Sequence, residues 1–243
     1  MERQERNVQF NRALIELRSL VLDGTFEAGC RLKEAALAER LNLSRTPLRQ
    51  AMDRLATEGL LKQNPTGGYL VARFTIDDII DAIELRGVLE GTAARLAAER
   101  GMEPAKRERM ATVLDELDEA VEADEFDFSA YVSLNAEFHE LLAGLAGSSI
   151  VAREVKRANK LPAASPTAFL QGQELIPDFV RSLTQAQSQH RAIFEAICER
   201  EGARAESLAR EHARLARTNF EYVMNQKPSL VERVPGLSLV AGQ

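Results

Sequence analysis

Apolar residues recur at helical intervals through most of the chain and form short strand-like runs at only one place. Residues 8–22 carry Val8, Leu14, Leu17 and Val21 at helical spacing, and Asp23-Gly24 predicts the end of that helix. After a connection over 25–33, Leu37 and Leu41 predict a second helix near Glu34–Leu41, and Asn42-Leu43-Ser44 reads as a tight turn. A third helix is expected from about Arg45 to Glu58, with Leu48, Met52 and Leu55 facing inward and Gly59 stopping it. Two apolar runs, Leu60–Gln63 and Tyr69–Arg73, flank Asn64-Pro65-Thr66-Gly67-Gly68, a strong hairpin signal. Three helices followed by a β-hairpin is the order of a winged helix-turn-helix.

From Thr75 onward the pattern predicts helix after helix: 77–100 (with Ile80, Ile83, Leu89, Ala93, Leu96 and Ala97 apolar), 104–122, 129–145, a shorter one at 148–160, then 178–200 and 203–225, split at Glu201-Gly202. The stretch 161–173 holds two prolines and reads as a loop, and 226–243 as a frayed or loosely docked tail. The fold class is therefore mainly α: a winged helix-turn-helix over 1–73, a short linker at 74–76, an all-helical bundle over 77–225 and a tail.

Composition changes this picture in one respect. The net charge of the 243 residues is −6, which argues against nucleic acid, but the charge is unevenly spread. Residues 1–73 hold 12 Lys/Arg against 9 Asp/Glu, or +3; residues 74–243 hold 19 against 28, or −9. A mildly basic head on an acidic body suggests two jobs. No run approaches the roughly 18 apolar residues of a membrane span, and the charged start lacks a signal-peptide core. Cys30 and Cys198 stand far apart in no metal-like spacing, so a reduced, cytoplasmic compartment is expected and no membrane partner.

The third predicted helix carries the first candidate chemistry. Ser44 sits at its N-cap position, where its hydroxyl can accept a backbone N–H, and Pro47 falls in the first turn, where its missing N–H costs little. The outward face shows Arg45, Thr46, Arg49 and Gln50. Arg45 and Arg49, four apart, project from one side near the helix N-terminus, the end that enters the major groove, where an arginine forks onto guanine O6 and N7. Thr46 and the helix N-terminus suit a phosphate. An arginine pair on a helix is otherwise an ordinary solvated face; the helix-turn-helix-wing order favours DNA.

The segment resembles the GntR family of bacterial regulators. The match runs through Leu37-Ala38, Leu41, Leu43-Ser44-Arg45-Thr46-Pro47-Leu48-Arg49, Ala51-Met52, Leu55 and Glu58-Gly59-Leu60, dense and ungapped. It implies base and phosphate contacts for Arg45 and Arg49. The family often places a basic residue directly before the wing glycine; here Gly67 precedes Gly68-Tyr69, which leaves backbone contact from Gly67 and Gly68 as the wing's contribution.

The three histidines, His139, His190 and His212, all fall in predicted helices. His190 lies twelve residues before Gly202 and His212 ten after it, so in an antiparallel pair the arms are about 18 and 15 Å and the imidazoles meet at similar height. Asn135 and His139 are four apart and can address one point. Three converging imidazoles suit a divalent transition metal such as zinc; three unrelated histidines are the alternative. Residues 77–225 resemble the FCD sensor domain of the FadR branch, through ELRGVLEGTAARLAA (84–98), NAEFHELL (135–142), QHRAIFEAI (189–197) and EHARL (211–215). That resemblance implies a metal held by one Asp and three His. All three histidines match; Asn135 replaces the aspartate, and a neutral amide oxygen is a poorer ligand, leaving a three-His site, a weakly metallated one or a pocket that works without metal. It also implies a small carboxylic-acid effector in the same cavity, bound by Arg86, Asn135, His139, His190 and His212, with Ser165, Thr167 and Phe169 near the entrance. Arg86 is the candidate second carboxylate contact; an ion pair with Glu90 is the alternative. A looser likeness to the vanillate-responsive repressors of this branch points to an aromatic acid.

Together these readings describe a homodimeric, ligand-responsive regulator, a repressor in its commoner mode, on a palindromic double-stranded DNA operator. The alternative is a small metal-dependent enzyme using the three-histidine site, for which the sequence offers no metalloprotease motif, phosphate-binding glycine loop or nucleophile–base pair.

Overall fold

The computed structural model describes residues 2–122, 126–161, 163–168, 177–226 and 236–240. Among them run α1 (Glu2–Leu22), β1 (Arg31–Leu32), α2 (Glu34–Arg40), α3 (Arg45–Thr57), β2 (Leu61–Gln63), β3 (Tyr69–Val71), α4 (Ile76–Arg100), α5 (Pro104–Glu122), α6 (Phe128–Leu145), α7 (Ser149–Ala158), α8 (Pro177–Cys198) and α9 (Gly202–Gln226), with a 3-10 turn at Leu237–Leu239. Two compact units result: Met1–Ile79 with Leu161–Ala163 and Val231–Gln243, and Ile80–Lys160 with Ala164–Leu230.

In the N-terminal unit, Leu48, Ala51, Met52 and Leu55 of α3 pack with Ala13, Leu17 and Val21 of α1 into one core with Leu37, Leu60 and Val71. Val8, expected to face inward, is 63% exposed. The physical reason is phase: nine residues at 100° each put Val8 opposite Leu17, while 13, 17 and 21 share the buried side. The turn between α2 and α3 uses Asn42 in the left-handed region (φ 49°), with Leu43 N–H donating to Ala38 O at 2.9 Å. Gly59 (φ +83°) ends α3 in the same way.

The hairpin forms as β2 and β3 with Gln63 opposite Tyr69, but the sheet has a third member that the sequence pattern did not suggest. Arg31–Leu32, expected as connection, pairs antiparallel with Leu70 and Tyr69, giving the order β1-β3-β2. Two residues are too short to show alternation. The tail is also not uniformly loose: Leu237 and Leu239 are buried, Gly236 N–H donates to Leu22 O at 2.9 Å, and Phe74 N–H donates to Leu239 O at 2.9 Å.

In the helical unit, α5 packs on α6 and α8, and α8 lies along α9, around Leu114, Leu117, Phe138, Leu142, Ile193 and Ile197. On α4 the buried stripe runs Ile83, Arg86, Glu90, Ala93, Ala97; Ile80, Leu89 and Leu96, expected among the core positions, are only half-buried. Glycines four apart allow α9 to approach α4: a Cβ at Gly87 would lie 2.8 Å from Ala213 Cβ, and one at Gly91 2.9 Å from Glu206 O. That close approach brings Glu90 and His212 into one neighbourhood.

Candidate functional site

The outward face of α3 is as the sequence suggests: Ser44, Arg45, Thr46, Arg49 and Gln50 are all exposed. Ser44 has N-cap geometry (φ −72°, ψ 156°), but its hydroxyl makes no capping bond, contrary to expectation. The third helical position, whose N–H such a cap normally takes, is Pro47, which has none. The first-turn amides and the Ser44 and Thr46 hydroxyls are thereby left facing outward, an arrangement suited to a phosphate oxygen. Arg49 is not a lone charge: its Nη2 donates to Glu34 Oε2 of α2 at 2.8 Å. With the Arg49 side chain 62% exposed, that pair is screened by solvent and yields readily to a stronger acceptor. Arg45 makes no ion pair among the described residues.

The wing turn needs left-handed residues, and Gly67 and Gly68 supply them at φ +91° and +83°. Sequence reasoning missed Arg31. It donates from Nη2 to Gly67 O at 2.8 Å, so strand β1 brings a guanidinium beside the wing turn, whose residues 64–68 include no cation. Only the pairing of β1 with β3 makes that visible. Arg45→Ala and Arg49→Ala are each expected to weaken operator binding by about 1–3 kcal/mol in a mobility-shift titration, with unchanged helicity. Wild-type affinity in both variants contradicts the assignment of α3 as the reading helix.

In the helical unit, His139 (α6), His190 (α8) and His212 (α9) converge, all buried. His190 Nε2 lies 3.0 Å from His212 Nε2, which lies 3.4 Å from His139 Nε2. The similar-height expectation for the α8–α9 pair is therefore met. Each Nδ1 faces an oxygen: Glu90 Oε1 at 3.0 Å from His139, Gln187 Oε1 at 3.1 Å from His190, and Gln189 Oε1 at 3.1 Å from His212. The Gln187 amide cannot be reversed, because its Nε2 already donates to Leu114 O at 3.0 Å and to Asp118 Oδ1 at 2.6 Å. The His190 ring thus donates from Nδ1 and presents its Nε2 lone pair to the other two rings, and the three Nε2 atoms lie close enough together for one cation to bridge them. Burial, reinforced by the neighbouring histidines, holds His190 well below the ordinary histidine value and brings His212 down to about 3. Neutral imidazoles are the form that ligates a metal. The residues fit a divalent transition ion.

Because the unfolded chain binds protons at His190 and His212 below the ordinary value of 6.5 and the folded chain does not, the stability these two carry is complete above that value and is lost as pH falls toward about 3. For His212 alone the loss at about pH 5 is roughly 2 kcal/mol. Urea midpoints of chelator-treated protein are expected to drop between about pH 7.5 and 5; a flat profile contradicts neutral burial.

Asn135 is buried beside the cluster and lines, with Arg86, Tyr131, His139, His212 and Asn219, a void of about 40 Å³, room for little more than water. Its Nδ2 donates to Pro166 O at 3.3 Å, a tether that the aspartate usual in the family could not make. Arg86, fully buried, makes the Glu90 ion pair that was one of its two expected roles: Nε lies 3.8 Å from Glu90 Oε2, Nη1 donates to Ala164 O at 3.0 Å, and Nε has no hydrogen-bond partner among the described residues. Ser165 and Thr167 are half-buried and hydrogen-bonded to each other at 3.1 Å; Phe169 lies outside the described residues. Sequence reasoning missed Glu90 as the partner of His139, and Gln187 and Gln189. The signal for Glu90 was present: it lies four residues from Arg86 on the buried stripe of α4. Burial raises its carboxyl, but His139 and Arg86 outweigh this and hold it at about 2, so it is ionised.

Comparison with known families agrees with this division. The model for bacterial regulatory proteins of the gntR family matches residues 11–71, and the FCD domain model matches residues 81–215, more than half of the chain. The chain belongs to the GntR family and carries an FCD domain. The Nta operon transcriptional regulator of Aminobacter aminovorans is 35% identical over 131 residues, 54% of this chain and 60% of that protein. The HTH-type transcriptional repressor GlaR of Escherichia coli K12 is 27% identical over 198 residues, 81% of this chain and 88% of that one. Alignment thus spans 60% of the Nta regulator's length and 64% of another relative, YdhC of Bacillus subtilis. The structure of E. coli McbR/YncC shares the fold, with a TM-score of 0.61 at 19% identity over 90% of this chain and 98% of that one. These GntR and FCD relatives carry the names of transcription regulators and not of enzymes. No helix among the described residues is long and apolar enough to cross a membrane.

Proposed function

We propose that this chain is a DNA-binding transcription regulator, a repressor, that releases its operator when its FCD domain binds a small organic acid. The observation that carries the reading is the joining of an α3 face bearing Arg45, Thr46, Arg49 and Gln50 to a domain with a buried three-histidine constellation. His139, His190 and His212 are the residues that would hold a divalent transition metal such as zinc, with Asn135 Oδ1 as a weak fourth donor. A bound metal supplies a point positive charge to the effector carboxylate. Arg86, with an unused Nε, faces the same void and takes the acid's second oxygen.

The response is a population shift. An acid that engages Arg86 competes with Ala164 O for the guanidinium, and one that enters beside Asn135 disturbs the tether to Pro166. Effector binding therefore favours a rearranged 164–167 segment, and the coupling reaches operator affinity through the difference in binding free energy between the two states. One recognition helix reads too few base pairs for tight binding, so the working unit is a homodimer on a palindrome.

A mobility-shift titration with the chain's own upstream region, with and without a panel of aliphatic and aromatic carboxylic acids, tests this reading. Sedimentation at micromolar concentration is expected to give twice the chain mass. Failure to bind that DNA sequence-specifically, with or without acid, overturns the proposal.

A further inference from the structure

The helical unit holds a second and much larger void, also bordered by His139 and Pro166. It lies between α6 and α7 and measures about 650 Å³, against about 40 Å³ beside the histidine cluster. Its origin is in the sequence of α6. His139, Glu140, Ala143 and Gly144 lie three, four, seven and eight residues beyond Ala136, so the five form one helix face. Three of those five side chains have at most one carbon and cannot span the gap to α7. A Cβ placed on Gly144 meets no heavy atom within 4 Å. The cleft opens to solvent, with Ala136, Glu140, Arg153 and Lys156 exposed at its rim, and its size is that of a ligand pocket.

The polar groups around it are incompletely paired. Lys156 of α7 is exposed and makes no ion pair among the described residues, whereas its neighbour on the rim, Arg153, is bound to Glu154 at 3.0 Å. Asn159 also lines the cleft, and its buried Oδ1 has no donor among the described residues. Glu140 adds a carboxylate on the α6 side that makes no ion pair among the described residues. Lys156 suits a carboxylate. Asn159 and Glu140 call for an O–H or N–H, and Glu140 disfavours an acid that brings no such donor. Ala143, Gly144, Ala152 and Val155 offer the apolar floor.

We infer that the α6–α7 cleft is a second ligand compartment, built for an apolar carboxylic acid that carries a hydroxyl or amine. It needs no metal and does not depend on the effector reading above. Because Pro166 borders both voids and accepts the Asn135 tether, a ligand in the cleft touches the same segment as one in the histidine pocket.

Calorimetric titration of the full chain with 3-phenyllactate, 3-phenylpropionate (which lacks the hydroxyl) and 2-phenylethanol (which lacks the acid) tests this. Phenyllactate is expected to bind, with each analogue about tenfold weaker. Gly144→Leu, which fills the cleft, should weaken phenyllactate by at least about tenfold, while Gly144→Ala leaves it unchanged. Lys156→Gln should reduce the advantage of phenyllactate over phenylethanol. Chelator-treated protein should bind as untreated protein does. Loss of binding on chelator treatment with Gly144→Leu unaffected places the acid at the histidines and overturns the inference, as does a wild type that takes none of the three. If Gly144→Leu loses its helical circular dichroism, unchanged phenyllactate affinity in both Lys156→Gln and Asn159→Leu overturns it instead.

Discussion

Replacing His190 by alanine is expected to abolish metal uptake, lowering affinity by more than about 100-fold, since it removes one of three imidazoles where even loss of a supporting hydrogen bond costs about 10–100-fold. His190 is fully buried, and its Nε2 is 3.0 Å from that of His212, so no side chain in the vicinity replaces it without moving a helix. Elemental analysis of protein purified without chelator, followed by competition against a chelator, measures the effect; stoichiometric metal in the variant contradicts the three-histidine assignment. The companion change, Asn135→Asp, is expected to tighten metal binding, because a charged oxygen replaces a neutral one. It also removes the N–H donor to Pro166 O and sets two oxygens against each other, so the 164–167 segment should exchange amide hydrogens faster even as the metal binds better.

Glu90 carries the second large effect. Its carboxylate is buried, with Oε1 bonded to His139 Nδ1 and Oε2 3.8 Å from the equally buried Arg86 Nε. Glu90→Leu strands the Arg86 guanidinium without an anion and is expected to cost about 3–5 kcal/mol of stability in urea unfolding. Glu90→Gln keeps the shape and an oxygen for His139 but drops the charge; metal affinity should then fall by about 10–100-fold. Combining Glu90→Leu with Arg86→Leu should restore part of the stability, since the two losses are coupled. A cost below about 1 kcal/mol for Glu90→Leu alone contradicts a buried pair.

The His190–His212 pair was readable from the chain because both stand at comparable distances from the Gly202 turn, a relation that helix geometry converts directly into height, whereas His139 joined them only through the resemblance to the FCD domain. What orients the rings was not readable. The partner of His139 lies 49 residues away, and the His139–His212 approach joins residues 73 apart. Glu90 looked like a surface partner for Arg86 until the stripe of α4 was seen to be buried. The large cleft escaped for a related reason: small residues on a helix face read as tolerant packing, and only the path of α7 decides whether they are covered.

The order of the helices, the winged helix-turn-helix plan and the outward face of α3 were determined by the sequence itself. Their causes act within a turn or two: apolar spacing, Gly59 and Asn42 in left-handed positions, Pro47 in a first turn. Tertiary structure alone decided that Arg31–Leu32 joins the wing sheet, that Glu34 holds Arg49, that Leu239 closes the N-terminal core, and that Glu90, Gln187 and Gln189 face the three imidazoles. Each depends on which surfaces meet. Local patterns fix what a segment can present, but the partner that satisfies a buried polar group or covers an apolar face comes from elsewhere in the chain and is selected only when the helices pack.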